Sequence, residues 1–190
     1  AEEIKIPYLR YERPSASSAY PAIFCKTMSE AADESINRGS RVFLATGVKD
    51  LPVFLEHEGA SRCQWYVRIT PEPDSLERAL KLGVPRANIC SMQGPFSSGF
   101  NQELWKNWSI DCVVTKDSGD AGGFPAKAQA AFSLGIPLIV VERPLMEYPN
   151  VVYDAGTIVE QVRQLLSAGA IEKGGGSIQE SGVRSSGVTE

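Results

Sequence analysis

Short apolar runs alternate with stretches of helical spacing along most of the chain. RVFLAT (41–46), QWYVRI (64–69), NICSM (88–92), CVVT (112–115) and PLIVV (137–141) have strand length and β-rich content. Between them lie MSEAADESINR (28–38), VKDLPVFLEHEG (48–59), DSLERALKLG (74–83), NQELWKNW (101–108) and FPAKAQAAFSLG (124–135). Their apolar spacing and closing glycines predict helices, with Pro52 confined to a first turn. The regular alternation predicts a mostly parallel sheet covered on both faces, a doubly wound α/β fold. A last helix, TIVEQVRQLLSAG (157–169), is expected to pack back on that sheet. The end of the chain, residues 171–190, is rich in Gly and Ser and nearly free of large apolar side chains. Such a segment cannot offset its ordering entropy and reads as a disordered tail.

Composition narrows the function classes. A net charge of −4 gives no electrostatic case for nucleic acid, whose phosphates call for a basic surface. No apolar run reaches membrane-span length, and the first residues show no basic-then-apolar signal, so the cytoplasm is the expected compartment. Cys25, Cys63, Cys90 and Cys112 form no CxxC pair and read as reduced packing residues. With His57 the single histidine, zinc sites and histidine-activated nucleophiles have little to build on.

The polar signals gather where a parallel sheet presents its ligands, at the carboxyl ends of its strands. Thr46 and Gly47 follow the first apolar run, and Arg68 closes the second. Gln93, Gly94, Pro95 and Phe96 follow the third, and Thr115, Lys116, Ser118 and Gly119 follow the fourth. Each has a plainer alternative: a capped turn for Thr46-Gly47, a loop with a packed ring for Gly94–Phe96, a surface position for Arg68. The segment TKDSGDAGGFPAK, bracketed by Lys116 and Lys127, has a strand-to-helix composition suited to holding an anion with backbone N–H groups. It is neither GxxxxGK[ST] nor GxGxxG. Asp117 and Asp120 read as turn and cap residues, and no catalytic acid or metal ligand is assigned.

TGVKDLPVF, YVRITPEP, QGPFS and DCVVTKDSGDAGGFPAKAQAAFSLGIPLIVVERP, in this order and at these spacings, resemble the C-terminal half of the precorrin-6A reductase family, including its cobalt-precorrin-6A reductases. The resemblance runs from about Ile6 to Leu166, and TKDSGxAGG is more similar to the cobalt-dependent branch. It implies a Rossmann-like fold, the second of two similar units, and NADPH- or NADH-dependent reduction of one double bond of (cobalt-)precorrin-6A in cobalamin biosynthesis. Hydride transfer is the cofactor's chemistry, and the protein contributes position and charge. Arg13, Lys49, Arg68, Lys116 and Lys127 are the candidate cations for tetrapyrrole carboxylates or cofactor phosphates. Thr46, Gly47, Thr115, Ser118 and Gly119 are the candidate neutral donors. The alternative is a non-catalytic module that binds an anionic nucleotide or tetrapyrrole.

The phrase IPYLRYERPS (6–15) returns as IPLIVVERPL (136–145) in the same register. Together with the resemblance, this implies that residues 1–14 are the last strand and linker of a first Rossmann-like unit, with residues 15–170 forming the second. The N-terminal half-domain is then a partner, and the strand near Ile6–Tyr11 is expected to join an edge of the remaining sheet or to stay a loose arm.

Overall fold

The computed structural model describes residues 9–11, 20–119, 122–143 and 150–167. It contains two compact units: a large one, Arg13–Glu147, and a small one built from Ala1–Glu12 and Tyr148–Glu190. The large unit runs β2 (Ile23–Cys25), α1 (Met28–Arg38), β3 (Arg41–Ala45), α2 (Leu51–Leu55), β4 (Gln64–Ile69), α3 (Pro73–Lys81), β5 (Ile89–Ser91), α4 (Ser98–Asn107), β6 (Cys112–Lys116), α5 (Phe124–Leu134) and β7 (Leu138–Val141). The small unit holds β1 (Arg10–Tyr11), β8 (Val151–Val152) and α6 (Ala155–Ser167).

In the large unit the six strands are all parallel, in the order β2-β7-β6-β3-β4-β5. The apolar runs divide their side chains between two faces because successive Cβ atoms alternate across a strand. Val42 and Leu44 of β3, Val67 of β4 and Val114 of β6 pack with Ala31, Ala32 and Ile36 of α1 and with Leu51 and Phe54 of α2. On the opposite face Phe43, Tyr66, Val113 and Val140 meet Trp105 of α4 and Phe124, Ala128 and Ala131 of α5. Burial on both faces explains why these strands read as unbroken apolar runs.

The helix signals map closely. α1 begins at Thr27, whose hydroxyl accepts from Glu30 N, while the Glu30 carboxylate accepts from Lys26 N at 2.7 Å. These bonds satisfy donors that a helix start leaves open. The expected 48–59 helix is shorter: a 3-10 turn over Val48–Asp50 leads into α2, with Pro52 in its first turn. α5 closes on Gly135 at φ 65°, a left-handed conformation that glycine adopts without Cβ strain.

Two strands carried too little signal to be expected, β2 and β8, and they answer the repeated phrase. The second copy of the phrase contains β7, which pairs with β2 through Val140↔Phe24 and Val141↔Cys25. The first copy contains β1, which pairs with β8 through Arg10↔Val151 and Tyr11↔Val152. Each copy is therefore joined by the short strand that follows the other copy. β1 is neither a loose arm nor an added edge of the six-stranded sheet, and α6 falls with it in the small unit. α6 opens like α1, with Asp154 Oδ1 accepting from Thr157 N at 2.8 Å. Arg13, Asp120 and the tail at 171–190 lie outside the described residues.

Candidate functional site

The chain leaves β3 toward β4 and β5, then returns across the sheet to β6 on the other side of β3. Crossovers diverging from such a point open a crevice at the carboxyl ends of the strands. A cavity of about 370 Å³ lies there. Its walls are Ala45–Val48 after β3, Arg68–Thr70 at the end of β4, and Met92–Phe96 after β5. Asn101 of α4 and Gly122, Gly123 and Lys127 around the start of α5 complete it.

Two cations dominate this cavity. Lys127 is only 6% exposed, and its Nζ is held by long contacts, 3.3 Å to Ser118 Oγ and 3.5 Å to the Gly122 carbonyl. Burial lowers its ammonium to about 8, the Arg68 charge acts in the same sense, and Asp117 opposes both. Arg68 donates from one terminal nitrogen to Asn101 Oδ1 at 2.8 Å, and Asn101 is itself fixed by donating to the Ser97 carbonyl at 3.0 Å. The guanidinium carbon lies 4.4 Å from the centre of the Phe96 ring and 5.4 Å from that of Phe43, and Phe96 is stacked on Phe100. Burial brings the Arg68 pKa down to about 10, so it stays charged at neutral pH. Among the described residues neither cation has an ion-pair partner. Beside them the Thr46 hydroxyl is buried without a hydrogen-bond partner. Buried polar groups are normally satisfied; here one hydroxyl has no hydrogen-bond partner, and two cations have hydrogen bonds but no ion pair among the described residues.

The segment between β6 and α5 shapes the far wall, and it does so by spending its own donors. Asp117 N donates to the Val141 carbonyl, Gly119 N to Asp117 Oδ1, and both Gly122 N and Phe124 N to the Gly119 carbonyl. Arg143 Nε donates to the Asp117 carbonyl at 3.0 Å and holds the loop to the end of β7. A Cβ on Gly122 would come within 2.2 Å of Ser118 Cβ, so only glycine fits that approach. Gly123, at φ 69°, turns the chain into α5. These four N–H groups do not form the open anion cradle expected from TKDSGDAGG.

The expected site residues are therefore sorted by the fold. Thr46, Gly47, Arg68 and Lys127 line the cavity together with Gln93, Gly94, Pro95 and Phe96. Thr115 is fully buried in β6, with its hydroxyl bonded to the Lys116 carbonyl, and is not among the residues that line this cavity. Lys116 is drawn aside by Asp50 at 2.6 Å, a contact that balances charge without hydrogen-bond alignment. It lines a different cavity with Lys26, Asp117 and Arg143. Ser118 and Gly119 support the loop behind Lys127, and Lys49 is exposed on its 3-10 turn. The sequence reading missed Asn101, Gly122 and Gly123 as lining residues. An asparagine on the inward side of NQELW, four residues after the Ser97 cap, was the available signal for Asn101. Among the described residues no group of His, Cys, Asp or Glu is placed to hold a metal ion, and no helix is long and apolar enough to cross a membrane.

Fold and cavity define a doubly wound α/β domain with a cation-lined cavity at the carboxyl edge of its sheet. The chain belongs to the family described as precorrin-6x reductase CbiJ/CobK, whose model matches residues 1–165. It is 37% identical over 153 residues to a cobalt-precorrin-6A reductase of Priestia megaterium, covering 80% of this chain and 60% of that protein. A cobalt-precorrin-6A reductase of Methanothermobacter thermautotrophicus is 38% identical over 139 residues, covering 72% of this chain and 45% of the relative. The chain thus spans about half to three fifths of the length of these relatives. A solved structure named CobK precorrin-6A reductase shares the fold, with a TM-score of 0.70 at 23% identity over 91% of this chain and 67% of that one.

Proposed function

We propose that this chain supplies the C-terminal part of a nicotinamide-dependent reductase that converts (cobalt-)precorrin-6A to (cobalt-)precorrin-6B in cobalamin biosynthesis. The observation that carries the reading is the cavity at the sheet's switch point, where Arg68, Lys127 and the Thr46 hydroxyl lack anionic partners among the described residues, in a chain of this family. When bound, NADPH or NADH supplies the hydride. The residues of this chain bind and orient. Arg68, held in plane by Asn101 and Phe96, fixes an anionic group of the ligand bidentately. Lys127 adds charge from the opposite wall, and the Phe96 and Phe100 rings offer an apolar surface at the cavity edge.

The small unit supports the rest of the proposal. α6 exposes Val159, Val162 and Leu166 along one helical stripe, whereas its counterpart α1 buries Ala31, Ala32 and Ile36. We assign that stripe to contact with a preceding Rossmann-like half-domain, in keeping with the length of the relatives. That half would supply the remainder of the cofactor and tetrapyrrole site, in the cytoplasm.

The second reading, a binding module without turnover, draws on the same cation-lined cavity, which can hold an anionic nucleotide or tetrapyrrole without carrying a reductant of its own. Titrating the purified chain with NADPH, NADH and (cobalt-)precorrin-6A, alone and fused to the preceding half of a relative, separates the two. Cofactor oxidation that depends on the tetrapyrrole supports the reductase. Binding without oxidation in the fused form supports the module.

A further inference from the structure

Reducing a carbon–carbon double bond takes a hydride and a proton, and the two come from different places. The hydride is the nicotinamide's. It forms a C–H bond at one carbon while the π pair moves to the other, where an acid must close it. We infer that Lys127 is that acid, its ammonium delivering the proton to the tetrapyrrole from the wall of the cavity. The inference rests on the reductase reading above.

The described residues that line the cavity offer few ways to release a proton. None of them is Asp, Glu, His, Tyr or Cys. The hydroxyls of Thr46 and Thr70 and the amides of Gln93 and Asn101 release none near neutral pH, and the Arg68 guanidinium keeps its own. Lys127 is left, and its surroundings loosen the proton. Its Nζ contacts two neutral oxygens at the long limit of a hydrogen bond, Ser118 Oγ at 3.3 Å and the Gly122 carbonyl at 3.5 Å. Among the described residues no acid stands at ion-pair distance. Burial disfavours the ammonium most, the Arg68 charge from β4 adds to that effect, and Asp117 from the segment before α5 opposes both, which leaves the group titrating at about 8. An acid of that strength is matched to proton transfer near neutrality.

The step balances within the cavity. Two C–H bonds form and one π bond breaks, the dihydronicotinamide is oxidised, and Lys127 is left as a neutral amine. Burial favours that neutral form. The amine regains a proton from solvent through Ser118, whose hydroxyl belongs to a half-buried residue, lies 3.3 Å from Nζ, and can accept and donate at once.

Lys127→Arg separates this role from a supply of charge, because arginine keeps the charge and does not release the proton. In the form fused to the preceding half of a relative, with NADPH and (cobalt-)precorrin-6A, kcat of Lys127→Arg is expected to fall about 100-fold or more. Lys127→Met, which carries no buried charge, is the second variant and is expected to show the same loss. Uroporphyrin, a tetrapyrrole bearing acetate and propionate arms, is expected to bind Lys127→Arg with affinity close to that of wild type. In wild type kcat/KM should fall as pH rises through about 8, since only the protonated lysine is an acid. The full 190-residue chain with ¹³C-labelled lysine, without cofactor, should show the Lys127 ε-carbon titrating in the same range, the signal being the one absent from Lys127→Arg. A kcat in Lys127→Arg close to wild type, a loss of its uroporphyrin affinity as large as its loss of kcat, or a Lys127 midpoint near 10.5 overturns the inference and leaves the reductase reading standing. A larger loss of kcat in Asp120→Asn or in Ser118→Ala than in Lys127→Arg moves the donor elsewhere and also overturns it. A wild-type fusion without tetrapyrrole-dependent cofactor oxidation counts against the reductase reading, and the inference falls with it.

Discussion

Two pairs of cations stand along the same carboxyl edge, and the fold treats them oppositely. Lys116 and Arg143 are neutralised: Asp50 meets Lys116 at 2.6 Å, and Asp117 meets Arg143 through its carbonyl at 3.0 Å and its carboxylate at 3.8 Å. Among the described residues Arg68 and Lys127 have no acid at ion-pair distance, although burial penalises both charges and the Arg68 charge further penalises Lys127, which Asp117 only partly offsets. Charges already paired within the protein hold loops in place. Charges left buried and unpaired cost stability, and a ligand that supplies the missing anion recovers that cost. The second pair thus lines the cavity with charge that no described acid pairs.

The comparison is broken most strongly at Lys127. Its pKa falls from 10.5 to about 8 on folding, which corresponds to a penalty of up to about 3 kcal/mol at neutral pH. Lys127→Met is therefore expected to raise stability at pH 7. The sign in alkali is fixed by linkage. Between about 8 and 10.5 the unfolded lysine keeps a proton that the native one has released, so this group's contribution to stability rises with pH across that window. Urea unfolding at a series of pH values should show the slope in wild type and its loss in the methionine variant.

Next in size are the affinity effects. Arg68→Met and Lys127→Met should each weaken binding of a polycarboxylate tetrapyrrole by about 1.5–3 kcal/mol, the usual worth of a charge-assisted hydrogen bond. Calorimetric titration measures this directly, and Lys127→Met should do so while becoming more stable, a trade expected of a functional site. Arg143→Ala reverses the pattern. It removes the cation beside the Asp117 carboxylate, 8% exposed in its side chain, and the Arg143 hydrogen bond to the Asp117 carbonyl, and should cost about 1–3 kcal/mol of stability in thermal denaturation. The smallest effect belongs to Lys116→Ala. An ion pair whose lysine is 45% exposed contributes little, so stability should change by less than about 0.5 kcal/mol, with tetrapyrrole affinity unaltered.

This sorting of cations was the part the sequence did not reveal. Lys116 and Lys127 bracket one motif and look alike in it. Their difference comes from Asp50, which lies on the turn after β3, far from either lysine in sequence. Arg68 was legible as a strand-end residue, but the asparagine that orients it comes from α4, and a helical asparagine ordinarily signals nothing. The five longer strand runs and most helices were legible because burial on both faces leaves dense apolar runs, and glycines and caps punctuate them. β2 and β8 lie in segments with no such apolar run closed by turn residues and with no alternation. The repeated Ile-Pro…Glu-Arg-Pro phrase was visible as a duplication. That each copy would pair with the other's following strand depends on long-range pairing, which local pattern does not encode.

The central claim is that the anion is held at Arg68 and Lys127 and not at the Lys116 end of the same edge. The most direct measurement is calorimetric titration of uroporphyrin into wild type, Arg68→Met and Lys116→Ala under identical salt and pH. The account predicts a loss of about tenfold or more in Arg68→Met and wild-type affinity in Lys116→Ala. Weakened binding in Lys116→Ala with Arg68→Met unchanged would contradict it.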